Sequence, residues 1–183
     1  FTVTNQIADD AIGQLRTEVT AVTPLGVEDS DPDNNSAFDV NVRPFLAVGS
    51  DMVYQGTPTV SLLDPLSGDL INQFHVYETQ FAGGVRTAIA DMNGDGVDDI
   101  VVAPGEGRVA EVRVFDVSGT EMSEYRLRPF GPTFLGGVNI ALGDVDGDGV
   151  NDLIAAQSRG STVTTYRCVS EGCCEAKPFR SYF

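Results

Sequence analysis

The sequence contains no tryptophan, one histidine, three cysteines and only 11 basic residues among 183. Each shortage excludes something. Against 27 acidic residues those 11 leave a net charge of −16, which repels a phosphate backbone and excludes nucleic acid as a partner. The same balance disfavours docking on anionic lipid. The single histidine, His75, sits in the strand-like run Phe74-His75-Val76-Tyr77. There is neither a Gly-x-Ser-x-Gly elbow nor a Cys–His pair for nucleophilic catalysis, so the chain reads as non-enzymatic. The cysteines crowd into the end of the chain as Cys168, Cys173 and Cys174. Three thiolates without a neighbouring His are incomplete for structural zinc, and an odd number leaves one thiol over in any disulfide scheme. Residues 168–183 are therefore expected to form an irregular tail. Long apolar runs are missing too. Pieces such as Ile100–Pro104 and Leu153–Ala156 fall far short of the roughly 20 residues a membrane-spanning helix needs, so no insertion is expected. No basic segment followed by an apolar one opens the chain at Phe1.

What is abundant is carboxylate, and it is concentrated. Asp91–Asp99 (DMNGDGVDD) and Asp144–Asp152 (DVDGDGVND) hold eight acidic residues in 18 positions. Charges packed so densely repel one another unless a cation neutralises them. The two clusters are one cluster repeated. Phe81–Ile100 aligns without gaps to Phe134–Leu153, 53 residues later, with 11 of 20 positions identical. Similarity at a fixed period marks a repeat architecture.

The loop chemistry suits a hard divalent cation, which takes oxygen ligands; Ca²⁺ takes six to eight in flexible geometry. Asp91, Asn93 and Asp95, and in the second copy Asp144, Asp146 and Asp148, offer side-chain oxygens at loop positions 1, 3 and 5. Gly96 and Gly149 at position 6 allow a sharp turn. Val97 and Val150 at position 7 offer a backbone carbonyl, and Asp99 and Asp152 at position 9 close the shell. Asp98 and Asn151 at position 8 are expected to face solvent. A helix–loop–helix site is excluded, because its last acid falls at position 12, here Val102 and Ala155. Plain Asp/Gly turns would not require acids at positions 1, 5 and 9 in both copies. Two Ca²⁺ sites are expected. The second, with four carboxylates against three, is expected to bind more tightly.

Around the loops the chain reads as short strands: Val85–Ala90, Asp99–Ala103, Glu111–Asp116 and Ser123–Arg128. In Glu111–Asp116 (EVRVFD), Val112 and Val114 share one face, Arg113 and Phe115 the other. Four strands per 53 residues is the content of one β-propeller blade. Upstream, Phe45–Gly49, Thr59–Asp64 and Asn72–Tyr77 match strands two to four of an earlier blade. Downstream, Val138–Leu142, Leu153–Ala156 and Thr162–Tyr166 begin a later one. The fold expected is all-β, a partial β-propeller of about two and a half four-stranded blades. Ten strands do not close a ring of four to eight blades, so the chain is expected to be a piece of a longer protein or to associate.

The phrase GGV-x-x-A-x-x-D-x-[ND]-GDGV-x-D, followed by Val102-Ala103-Pro104-Gly105, resembles FG-GAP (VCBS-type) repeats of bacterial surface proteins, relatives of the integrin alpha-chain propeller blades. The likeness covers residues 43–167. It implies that Asp91, Asn93, Asp95, Val97 and Asp99 hold one Ca²⁺, and that Asp144, Asp146, Asp148, Val150 and Asp152 hold another. It also implies a secreted or cell-surface module for adhesion to a protein or polysaccharide ligand, with a structural spacer or the non-catalytic part of a polysaccharide-active enzyme as alternatives. Ala156-Gln157-Ser158 departs from the Ala103-Pro104-Gly105 of the first copy. Residues 1–42 differ in kind: Glu18–Pro24 alternates weakly, and the polar turn Glu28–Ser36 leads into Ala37–Val42. This stretch resembles the end of a bacterial Ig-like sandwich repeat, and an acidic linker is the alternative.

Overall fold

The computed structural model describes residues 14–20, 36–42, 44–51 and 56–168. The chain divides into two compact units, Phe1–Arg43 and Pro44–Phe183. In the first, β1 (Gln14–Thr20) pairs antiparallel with β2 (Ser36–Val42), from Gln14 opposite Val42 to Thr20 opposite Ser36. The turn expected over residues 28–36 lies outside the described residues up to Asn35.

The second unit is built of three small antiparallel sheets, with no α-helix among the described residues. Sheet one contains β3 (Leu46–Gly49), β4 (Thr59–Leu63) and β5 (Leu70–His75). Sheet two contains β6 (Val85–Ala90), β7 (Asp99–Pro104) and β8 (Arg113–Phe115). Sheet three contains β9 (Val138–Gly143), β10 (Asp152–Gln157) and β11 (Val163–Tyr166). In each, the strands pair in chain order, and the sheets do not close on themselves. Hairpin turns between strands follow local chemistry. Asp64 Oδ1 accepts from the amides of Leu66 and Ser67, and Asp116 Oδ1 from those of Ser118 and Thr120, the Asx-turn habit of short acidic side chains.

Sheet two has an apolar core on each face. Ile100, Val102 and Phe115 join Val60, Leu62, Val76 and Tyr77 of the sheet-one region. Val101, Ala103, Val112 and Val114 join Val138, Leu153, Ala155 and Tyr166 of sheet three. The period-two alternation of a strand divides consecutive residues between the two cores. β7 is buried at every position, which suits its run of β-branched residues. The sheets are also joined by hydrogen bonds. The Val85 amide donates to Ser50 O (2.8 Å), Thr87 Oγ1 to Ala47 O (2.9 Å) and Ala110 N to Phe134 O (2.9 Å).

One expected element differs. Ser123–Arg128 does not form a fourth strand of sheet two. Ser123–Tyr125 is a single 3-10 turn, and pairing with β8 and its flank shrinks to isolated bridges, Val112 with Leu127 and Phe115 with Glu121. Burial explains the turn: Tyr125, 2% exposed, drops into the core between sheets two and three, with Met122 packed against it. Beyond the turn the chain extends again at Arg126, and Arg126 and Arg128 project towards Glu111. The buried Glu111 carboxylate pairs with Arg113 and Arg128 at 2.8 Å each, and with Arg126 at 3.9 Å. Its backbone carbonyl accepts the Tyr77 hydroxyl at 2.9 Å, tying sheets one and two together.

Of the expected irregular tail, Cys168 is described and fully buried in the core of sheet three; residues 169–183 lie outside the described residues.

Candidate metal centre

Both acidic loops are hairpin connections, one between β6 and β7 and the other between β9 and β10. Their backbones are organised by the same side chains. Asp91 accepts from the Gly94 amide through Oδ1 (2.7 Å) and from Gly96 through Oδ2 (2.9 Å). Asp144 accepts from Gly147 (2.6 Å) and Asp148 (3.1 Å) through Oδ1, and from Gly149 through Oδ2 (2.9 Å). Asp95 Oδ1 takes the Val97 amide (2.7 Å), as Asp148 Oδ1 takes that of Val150 (2.9 Å). Asn93 Oδ1 accepts from the Asp95 amide at 2.9 Å. A carboxylate at position 1 thus folds the loop around itself, and the chain reverses twice. Gly94 and Gly96 have φ of 80° and 84°, and Gly147 and Gly149 have 81° and 88°. The position-4 glycines therefore matter as much as those at position 6, because L side chains pay a steric cost at such angles.

Position 9 anchors each loop to its sheet. Asp99, 2% exposed, accepts the Met92 amide through Oδ2 at 3.0 Å. Asp152, 1% exposed, accepts that of Val145 through Oδ2 at 3.0 Å, and the Cys168 amide at 3.3 Å through Oδ1. Burial pushes the Asp99 carboxyl up to about 6; the Met92 amide opposes the rise, and the charges of Asp95, Asp91 and Asp116 add to it. A buried carboxyl ringed by other carboxylates is held at a cost that a cation would remove.

In the second loop, single carboxylate oxygens of Asp144, Asp146 and Asp152 all lie within 4.8 Å of one another. This is an all-oxygen, all-anionic donor set on a loop open to water, and it fits a hard cation such as Ca²⁺ better than a soft metal. Asp98 is exposed, as position 8 was expected to be. Asn151 differs. It is half-buried, and its Nδ2 donates to Asp91 O at 3.2 Å, so position 8 of the second loop touches position 1 of the first. Sheet packing brings the two loops side by side, and a lone Asn within the repeat gives no sign of this.

Arg167 is the charged group that sequence reasoning missed. Its Nε lies 3.0 Å from Asp148 Oδ2 and 3.1 Å from Asp146 Oδ2, and its Nη2 also contacts Asp148 Oδ2. This guanidinium, with the Val150 amide, holds the Asp148 carboxyl below its ordinary range. His75 is exposed on β5, away from both loops in the chain.

A family model described as FG-GAP-like repeat matches residues 91–155, from the first residue of one loop to just past the end of the other. No curated protein matches the chain.

Proposed function

We propose that this chain is a non-enzymatic, calcium-binding repeat module of the β-propeller type, secreted or displayed at a cell surface, where it binds a protein or polysaccharide. The observation that carries the reading is the pair of matching acidic loops, each capped by its own position-1 carboxylate and closed by a buried position-9 carboxylate; the second loop gathers oxygens of Asp144, Asp146 and Asp152 within 4.8 Å. The FG-GAP-like match spanning both loops supports it. So does the stacking of three sheets with two apolar cores between them, the way propeller blades pack. Asp91, Asn93, Asp95, Val97 and Asp99 would hold one ion, and Asp144, Asp146, Asp148, Val150 and Asp152 the other. Bound Ca²⁺ supplies positive charge and extra coordination bonds. The loop residues do the rest: they fix the backbone reversal, bury one carboxylate and present the others to water. VCBS-type surface repeats in longer bacterial proteins remain the family to which this reading points, and FG-GAP-like repeats are typical of extracellular proteins.

Isothermal titration of CaCl₂ into the wild-type chain, Asp99→Ala and Asp98→Ala tests the ligand register. Asp99→Ala is expected to lose one of two sites, and Asp98→Ala to keep both. Equal losses from the two variants would show that the loop register is wrong, and the same response to MgCl₂ would remove the calcium assignment.

A partner-binding role over a pure spacer is favoured by an open cleft of about 520 Å³ lined by Glu78, Thr79, Gln80, Phe81 and Glu106. Gln80 stands at φ 79° without being glycine, a conformation that costs energy and concentrates at functional positions. Glu78 and Glu106, each paired with an arginine (Arg108 at 3.0 Å and Arg159 at 2.7 Å), give the cleft charged and amide groups that suit the hydroxyls of a polymer. Binding on a glycan array that is lost on Gln80→Gly with Glu106→Ala would support the cleft, and binding unaffected by both changes would move the partner elsewhere.

A further inference from the structure

The two loops are copies, but the residues across the sheet from them are not. β7 and β8 pair with Ile100 opposite Phe115, and β10 and β11 with Leu153 opposite Tyr166. Both ladders end there: Asp116 follows Phe115 towards the Asp99 end of β7, and Arg167 follows Tyr166 towards the Asp152 end of β10. Cross-strand neighbours at such a ladder end lie within side-chain reach, and like charges there are destabilising. The first loop therefore faces an acid and the second a base.

Each neighbour is held where it acts. Asp116 Oδ1 accepts from the Ser118 amide (2.9 Å), the Ser118 hydroxyl (2.6 Å) and the Thr120 amide (2.9 Å), which fix its carboxylate in the turn after β8. Arg167 bridges Asp146 at 3.1 Å and Asp148 at 3.0 Å, two residues at loop positions 3 and 5. Its side chain is 36% exposed, so the guanidinium is neither sealed in nor lost to solvent. Counting only the carboxylates at ligand positions, three in the first loop and four in the second, ranks the second site as the tighter. Adding Asp116 to the first set and Arg167 to the second reverses that order, to four negative charges against a net three.

We propose that Asp116 and Arg167 set the two loops to unequal calcium affinity, the first loop filling first, with Arg167 a tethered counter-cation that Ca²⁺ must displace from the second. The proposal rests on the calcium reading of the loops. A tethered cation is always present at high local concentration, so it neutralises the loop without metal and competes with any ion that arrives. Ligand charge tunes the affinity of such sites over orders of magnitude. The second loop then responds to calcium concentrations at which the first is already saturated.

Calorimetric titration of CaCl₂ into the full chain tests this, with Arg167→Gln and Asp116→Asn beside the wild type. Asn keeps the oxygen that holds the turn and removes only the charge. One unit of charge at this range is expected to change affinity about tenfold. Arg167→Gln should tighten the weaker site by that factor and leave the stronger unchanged. Asp116→Asn should weaken the stronger site and leave the weaker unchanged. An Arg167→Gln variant with both constants within about twofold of wild type overturns the proposal, as does one that tightens the stronger site. Thermal melts in EDTA add a readout that needs no metal. Arg167→Gln should lower Tm by a few degrees and Asp116→Asn should raise it. Shifts of the same sign would overturn the electrostatic asymmetry. A wild type that takes up no Ca²⁺ would overturn the calcium reading and the affinity order with it. Opposed EDTA shifts in that case would show the failure to lie with the metal assignment, not with the charges across the ladder.

Discussion

A thermal melt in about 10 mM CaCl₂ is expected to run 10–20 °C above the same melt in EDTA, with MgCl₂ giving much less. The size follows from linkage. A site with Kd near 10⁻⁴ M at that concentration adds about 2.7 kcal/mol, and two such sites together roughly 5 kcal/mol. For a domain of this size each kcal/mol moves Tm by about 2–4 °C. The physical source is the carboxylate crowding in Asp91–Asp99 and Asp144–Asp152, above all the burial of Asp99 and Asp152 at the mouths of β7 and β10. A cooperative melt that ignores calcium would reduce both loops to turns capped by their own aspartates.

The second large effect is expected away from the loops. Glu111→Gln should cost about 2 kcal/mol in urea denaturation near pH 7. Only 4% of the Glu111 side chain is exposed, and it accepts charge-assisted hydrogen bonds from Arg113 Nε (2.9 Å) and Arg128 Nε (2.9 Å). Arg126 and Arg128 are partly in water, with side chains 41% and 54% exposed, which keeps the cost below that of a sealed ion pair. The sign of the pH dependence is fixed. Burial pushes the Glu111 carboxyl up, but Arg113 and Arg128 more than offset it and hold it below its ordinary value. Its contribution is therefore full above the unfolded-state value near 4.5 and is lost as pH falls through the lower folded value. The gap between wild type and Glu111→Gln should narrow as pH drops from 5 towards 3. A gap that stays constant across that window would show that the carboxylate charge does not carry the effect.

Glu111 also marks where the sequence stops being legible. The acidic loops could be read directly, because acids and glycines at fixed offsets in two copies are a local pattern with local chemistry. The faces of Glu111–Asp116 could be read too: Val112 and Val114 enter one core and Phe115 the other, as strict alternation requires. The all-β class follows from such runs. Ser123–Arg128 misled because alternation alone favours a strand there, whereas the Tyr125 ring needs a turn to reach the core and three arginines converge on one buried acid. Those contacts join residues up to 17 positions apart, and no window of sequence displays them. Arg167 and Asn151 escaped for the same reason. Sheet packing brings Asn151 to the other loop, and strand pairing within one sheet brings Arg167 to its own, while their neighbours in the chain say nothing about it.

The burial of β7 on both faces also bears on how its hairpin finds the correct alignment. A one-residue slip of an ordinary half-buried strand exposes its apolar side and is rejected at once. A slip of Ile100–Ala103 would only exchange one apolar core for another, since alternate residues already face different cores. Hydrophobicity therefore discriminates weakly against the misaligned hairpin. Asp99 discriminates strongly: moved by one position, its carboxylate would leave the Met92 amide and turn towards the opposite core as a charge with no partner. Asp152 holds β10 to β9 in the same way through the Val145 amide. The closing aspartate of each acidic loop thus serves as an alignment peg for the hairpin that carries it, whether or not an ion is bound.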